Sequence, residues 1–142
     1  LFRSPQTITN INDSGAHLQL FCGPGQSVHL ITHFVHELGL LRLDEAVHQL
    51  TGRLAGFFGF CDRGVIEVGR VGDLAVFDPD ELRLAPEEKT HDLPGGYWRF
   101  TRGPGGFRAT IVAGEATFAE GAPTDALPGR LISPTTAGKA DV

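Results

Sequence analysis

The chain has 142 residues, enough for one domain with a modest core. Its formal net charge of -5 leaves no basic footprint for phosphate, so no nucleic-acid partner is expected. The 41% hydrophobic content is ordinary for a globular chain, no apolar run reaches bilayer length, and no basic-then-apolar leader is visible, so no membrane partner is expected. Cys22 and Cys61 lie far apart, in no C-x-x-C motif, and are too few for a disulfide framework. A reducing, cytoplasmic setting is the simple expectation. There is no methionine, and Leu1-Phe2-Arg3-Ser4-Pro5 runs straight into a strand-like segment. Both features are expected of a piece of a longer chain; chance absence of methionine with a removed initiator gives the same sequence.

Thr7-Ile8-Thr9-Asn10-Ile11 is a β-branched run after Pro5 and reads as a buried strand. Asn12-Asp13-Ser14-Gly15-Ala16-His17 follows, then Gly23-Pro24-Gly25, so Asp13 stands where strand gives way to loop. Two readings are open there. Asp and Ser commonly form turns. At strand ends of a parallel α/β barrel, catalytic side chains gather.

Residues 26–38 carry a helical pattern, with Val28, Ile31, Val35 and Leu38 on one face. Ser27 is the expected N-cap and Gly39 suits the C-terminal cap. His29, His33 and His36 fall on the other face. Their spacing admits a shared metal ion, but the solvated side of a surface helix is the expectation. A second helix begins near Leu43, with Asp44 and Glu45 suiting its dipole. Leu43, Val47, Leu50, Leu54, Phe57 and Phe58 form its apolar stripe. Gly52 costs about 1 kcal/mol relative to Ala, so a break near Thr51-Gly52 is expected, and Gly59 ends the pattern.

Gly64-Val65-Ile66-Glu67-Val68 reads as a short strand, and Asp73-Leu74-Ala75-Val76-Phe77-Asp78 as a second, apolar on both faces and so buried. Residues 84–94 are polar and irregular, with Glu87-Glu88-Lys89 a solvated run. Further strands are expected over residues 97–101, 107–113 and 115–118, with a hairpin turn at Ala113-Gly114. His91 and Asp92 read as turn-formers, and the Trp98-Arg99 pair as a commonplace of strands. Residues 133–142 read as a flexible tail. The order is one strand, two helices, then an all-β region joined near Gly59-Phe60. A single buried strand has unpaired amides that are costly in a dry core, so pairing from outside the chain is expected.

Four segments carry a family resemblance: Asn12 to His17; Leu43-Asp44-Glu45-Ala46-Val47 through Leu50-Thr51-Gly52-Arg53; Asp62 to Gly69 with Asp73 to Asp78; and His91-Asp92-Leu93-Pro94-Gly95-Gly96. Together they resemble the C-terminal end of an amidohydrolase-superfamily enzyme, more narrowly the N-acyl-D-amino-acid deacylase (D-aminoacylase) family. The resemblance implies a (β/α)8 barrel with a small β-sandwich. The chain, α+β taken alone, then supplies the last barrel strand, the catalytic loop and two helices in residues 1–58, part of the sandwich in 59–132, and a tail in 133–142.

The resemblance also implies a metal-dependent hydrolysis of N-acyl, chiefly D-, amino acids. One or two divalent ions, usually zinc, lower the pKa of a bound water and polarise the amide carbonyl. Asp13 matches the aspartate that binds or borders the metal and carries the proton from water to the leaving amine. His17, four residues on, is a candidate substrate contact, or equally a loop histidine held by a backbone hydrogen bond. The H-x-H motif and the other metal ligands are absent, and neither Cys22 nor Cys61 replaces them. The isolated chain is therefore expected to be inactive and to hold no tight metal, with the remaining N-terminal part of the enzyme as its partner. A homo-oligomer is compatible. Asn12, Leu54 and Gly72 depart from the family's usual Ser, Pro and Ala. The alternatives are a non-catalytic complementing subunit or interaction module, and a fragment of a cyclic-amide hydrolase.

Overall fold

The computed structural model describes residues 2–9 and 14–134. The first helix starts as α1 (Gln26–His29) and continues as a π-helical segment, Leu30–Glu37. Its N-cap is Gly25, at φ 108 in the left-handed region, rather than Ser27. A side chain at Gly25 would also collide with Leu84, so this corner needs glycine. The wider π turn closes with the Leu38 N–H donating to the His33 carbonyl at 2.9 Å. Leu30 and Ile31 are buried, with Val28, Phe34 and Val35 packed around them. Leu38, expected on this face, is the C-cap residue and is exposed.

Helices α2 (Leu43–Leu50) and α3 (Gly52–Phe58) are separated at Thr51, whose φ of -128 and ψ of -91 are not helical. The break falls where Gly52 predicts it. Glu45 accepts the Arg42 backbone N–H at 2.9 Å, satisfying one donor that a helix start leaves open. Gly59, at φ 75, ends α3, and the Phe60 N–H reaches back to the Ala55 carbonyl at 2.8 Å. Among the described residues no helix is long and apolar enough to cross a membrane.

Among the described residues six strands form two antiparallel sheets. The larger has the order β1 (Leu74–Phe77), β4 (Phe107–Val112), β5 (Glu115–Ala119), β6 (Ala122–Pro123). The smaller pairs β2 (Glu87–Thr90) with β3 (Arg99–Arg102). Ala113 and Gly114, at φ 51 and 86, form the two-residue turn between β4 and β5, as its sequence predicts. The core is small: Leu30, Ile31, Leu41, Ala46 and Leu82 are buried, flanked by Phe2, Phe34, Phe77 and Phe107. It joins the helices to one end of the larger sheet.

Several expectations need correction. Residues 7–9 form no strand. Their neighbourhood is held by side chains of α2 and α3. Residues 64–68 form no strand either, and Ile66 is 92% exposed. β1 forms, but as an edge strand its Leu74 and Val76 remain open to solvent rather than buried. Phe57 and Phe58, expected in the apolar stripe of α3, are also exposed. Residues 87–90, expected to be irregular, pair with β3; their charged side chains point to solvent while the main chain takes the ladder bonds. The described residues are thus a mixed helix-and-sheet unit with two separate sheets.

Candidate active-site loop

Asp13, the sequence's candidate catalytic and metal-bordering residue, lies outside the described residues. The segments on either side of residues 10–13 are described, and each is anchored from a different part of the fold. Upstream, the Arg53 guanidinium donates to the carbonyls of Ser4 and Thr7, both at 2.5 Å. Gln49 Nε2 donates to the Phe2 carbonyl at 3.0 Å, and Arg3 pairs with Glu45 at 3.1 Å. The Phe2 ring meets Phe34 edge-on at 4.7 Å between centroids. Helices α2 and α3 therefore hold the approach to Asp13.

Downstream, the chain turns at His17, whose φ of 48 lies in the left-handed region. Its carbonyl accepts the Leu20 N–H at 2.7 Å and the Phe21 N–H at 3.4 Å. The imidazole is exposed, 6.1 Å from the Phe21 ring between centroids. Of the two roles open for His17, the main chain takes the turn-forming bonds and leaves the ring outside. Strand β3 then fastens the loop: the Phe100 N–H donates to the Leu18 carbonyl at 3.0 Å, and Gln19 Nε2 donates to the Trp98 carbonyl at 3.1 Å. Arg102 fastens its far end, with Nε donating to the Pro24 carbonyl at 3.1 Å while its other nitrogens reach the Ala85 carbonyl and Glu87.

β3 is itself braced. Arg99 donates two hydrogen bonds to Asp92, at 2.8 and 2.6 Å, across the Pro94–Gly96 turn. His91 Nδ1 lies 3.2 Å from the Gly96 carbonyl, so His91 and Asp92 are turn-formers as expected. The cation over Trp98 is Lys89, 4.4 Å from the ring centre, not Arg99. Hydrogen bonding from Arg99 is the main cause that holds the Asp92 carboxyl below its ordinary range. Its stabilising effect is therefore present above the unfolded carboxyl value of about 4 and lost as pH falls below it. Between pH 7 and pH 3, the protection of the amides over residues 90–100, taken relative to the intrinsic exchange rate at each pH, is expected to fall, and Asp92→Asn is expected to show low protection already at pH 7. Equal exchange in both proteins at pH 7 would remove Asp92 as the brace.

The three helix histidines do not converge. His29 and His33 stack with planes only 6° apart and centroids 4.9 Å apart, so their in-plane lone pairs run side by side. His33 Nδ1 is already 2.6 Å from Glu37, and His36 is exposed. Among the described residues no group of three or more His, Cys, Asp or Glu side chains could hold a metal ion. A cleft of about 580 Å³ opens between the first helix, α2 and β1, lined chiefly by apolar groups such as Ile31, Val47, Leu50, Phe77 and Phe107. His17 does not line it. No disulfide links Cys22, which is buried, to Cys61, which is exposed.

Sequence reasoning missed Gln19, Arg53 and Arg102 as anchors of this loop. Each acts on a main-chain carbonyl far away in sequence, and no local spacing announces such a contact.

Residues 8–118, a stretch that includes Asp13, match the model of the amidohydrolase family. The chain is 33% identical over 121 residues to an N-acyl-D-glutamate deacylase of Alcaligenes xylosoxydans xylosoxydans, which covers 85% of this chain and 22% of that protein. It is 30% identical over 126 residues to a D-aminoacylase of the same organism, covering 89% of this chain and 24% of the relative. Among solved structures it is similar to a D-aminoacylase variant, one aspartate changed to alanine, in complex with copper chloride (TM-score 0.56, 28% identity, 75% of this chain, 21% of that one). A second D-aminoacylase structure, described by its binuclear metal centre, matches with a TM-score of 0.53 at 28% identity, over 70% of this chain and 19% of that one. The chain thus spans less than a quarter of the length of the relatives it matches. By its sequence and by the shape of its helix-and-sheet unit, the chain belongs to the amidohydrolase family and is D-aminoacylase-like.

Proposed function

We propose that this chain is the C-terminal portion of a metal-dependent amidohydrolase that hydrolyses the amide bond of N-acyl-D-amino acids. The observation that carries this reading is the match to an N-acyl-D-glutamate deacylase over 85% of the chain. In this reading Asp13 is the chain's own reacting group. Its carboxylate accepts a proton from the water that attacks the amide carbonyl and delivers it to the amine nitrogen as the C–N bond breaks. The products are the free acid and the free amino acid. His17, exposed at the turn after Asp13, is the proposed substrate contact. The described residues by themselves do not fit a metal centre. A divalent ion, with zinc as the proposed one, would take its ligands from outside this chain together with Asp13.

The open surfaces support a chain that is covered by the rest of an enzyme. Among the described residues β1 is an edge strand carrying none of the charges or prolines that usually guard such edges, and Ile66 and Val68 stand out in solvent. A non-catalytic complementing subunit would expose the same surfaces, so the test must read chemistry. The longer polypeptide containing this chain is expected to release free amino acid from N-acetyl-D-glutamate and much less from N-acetyl-L-glutamate. No release from either isomer by the metal-loaded polypeptide overturns the proposal. Hydrolysis of a cyclic amide in place of both would move the activity to that neighbouring class.

A further inference from the structure

We propose that Gln19 is a positioning residue for His17, acting through strand β3; the inference rests on the reading of His17 as a substrate contact. Three observations carry it. His17 holds a left-handed φ of 48, one of three described non-glycine residues with positive φ. Such backbones persist where the surroundings over-determine them. The two residues after His17 are fixed from far away in the chain: Leu18 by the Phe100 N–H and Gln19 by its own amide on the Trp98 carbonyl, a partner 79 residues on. Finally, the strand giving those bonds is braced by the paired hydrogen bonds of Arg99 to Asp92.

The consequence is geometric. An exposed imidazole on an untethered turn samples many directions, and each rotor frozen on binding costs affinity. Gln19 and Leu18 remove that freedom at the main chain before any substrate arrives. The segment just after His17 is thereby linked, through Trp98 to Phe100, to the His91–Gly96 turn. That turn braces the platform on which the His17 turn is held.

The test uses the longer polypeptide with N-acetyl-D-glutamate. Gln19→Glu keeps the shape of the side chain and removes its donor. It is expected to raise KM about fivefold, more than kcat falls, the size expected from one lost hydrogen bond. It is also expected to speed exchange of the Leu20 and Phe21 amide hydrogens, which the His17 carbonyl holds. Gln19→Lys, which restores a donor, should recover both readouts. His17→Ala should raise KM similarly, and the double variant should add little, because the two residues act as one unit. Unchanged Leu20 and Phe21 exchange in Gln19→Glu overturns the inference. So does a KM that moves with only one of Gln19 and His17. If the unaltered polypeptide hydrolyses no N-acyl amino acid, the functional reading falls with His17's role, while the exchange data still decide whether Gln19 holds the turn.

Discussion

Replacing Asp13 by Asn in the longer polypeptide is expected to lower kcat for N-acetyl-D-glutamate about 1,000-fold, within the range attributed to a lost general acid–base group. The substitution keeps side-chain size and removes the one group on this chain proposed to accept and return the proton. Its thermal midpoint is expected to stay close to that of the unaltered protein if the carboxylate serves the reaction rather than the fold. The check is paired: steady-state kinetics for the chemistry and calorimetry for the fold. A fall in kcat below tenfold would remove Asp13 from the reaction. A large fall accompanied by a collapse in stability would make it a structural turn residue, the alternative open in the sequence.

The second large effect is expected at Arg53. Its guanidinium holds two main-chain carbonyls, Ser4 and Thr7, in a segment with no strand of its own. Hydrogen bonds to a charged group contribute about 1.5–3 kcal/mol each. The site is only half-buried, so solvent takes back part of that when the side chain is removed. Arg53→Ala is expected to cost about 2–3 kcal/mol in a urea titration and to open residues 2–9 to amide exchange. Arg53→Lys should recover part of the loss, because both carbonyls accept from one nitrogen, Nη2, and an ammonium also carries donors for two acceptors, though on a differently shaped stem. A shift under about 0.5 kcal/mol for Arg53→Ala, the range of ordinary surface substitutions, would show that Gln49, the Arg3–Glu45 pair and the Phe2–Phe34 contact hold the segment without it. The functional consequence is direct. The same segment leads into Asp13, so loosening it is expected to lower kcat as well as stability.

These two residues show how differently the chain discloses itself. Asp13 is conspicuous in the sequence because its neighbours Ser14, Gly15 and His17 form a recognisable local pattern. Arg53 is inconspicuous because its role is set by carbonyls 46 and 49 residues away. The same division runs through the fold. The helix break at Thr51, the stop at Gly59 and the hairpin at Ala113-Gly114 follow from backbone preferences of one or two residues, and all three appear where expected. The strands expected at residues 7–11 and 64–68 depend on a partner to accept their ladder bonds. Among the described residues neither 7–9 nor 64–68 is a strand.

By itself the sequence determined the local elements whose causes are local: helix ends, the glycine turns, and the motif that places a carboxylate after a β-branched run. It also determined the family, since short motifs survive even when the chain spans less than a quarter of its relatives. Only the tertiary structure decided which surfaces are closed. It left β1 as an open edge, put Phe57 and Phe58 in solvent, and separated His29 and His33 from any shared ligand. It also joined the His17 loop to β3 through Leu18 and Gln19. The physical reason is the range of the interaction. Backbone torsions are read from a residue and its neighbours, whereas burial and main-chain pairing depend on what lies across the fold.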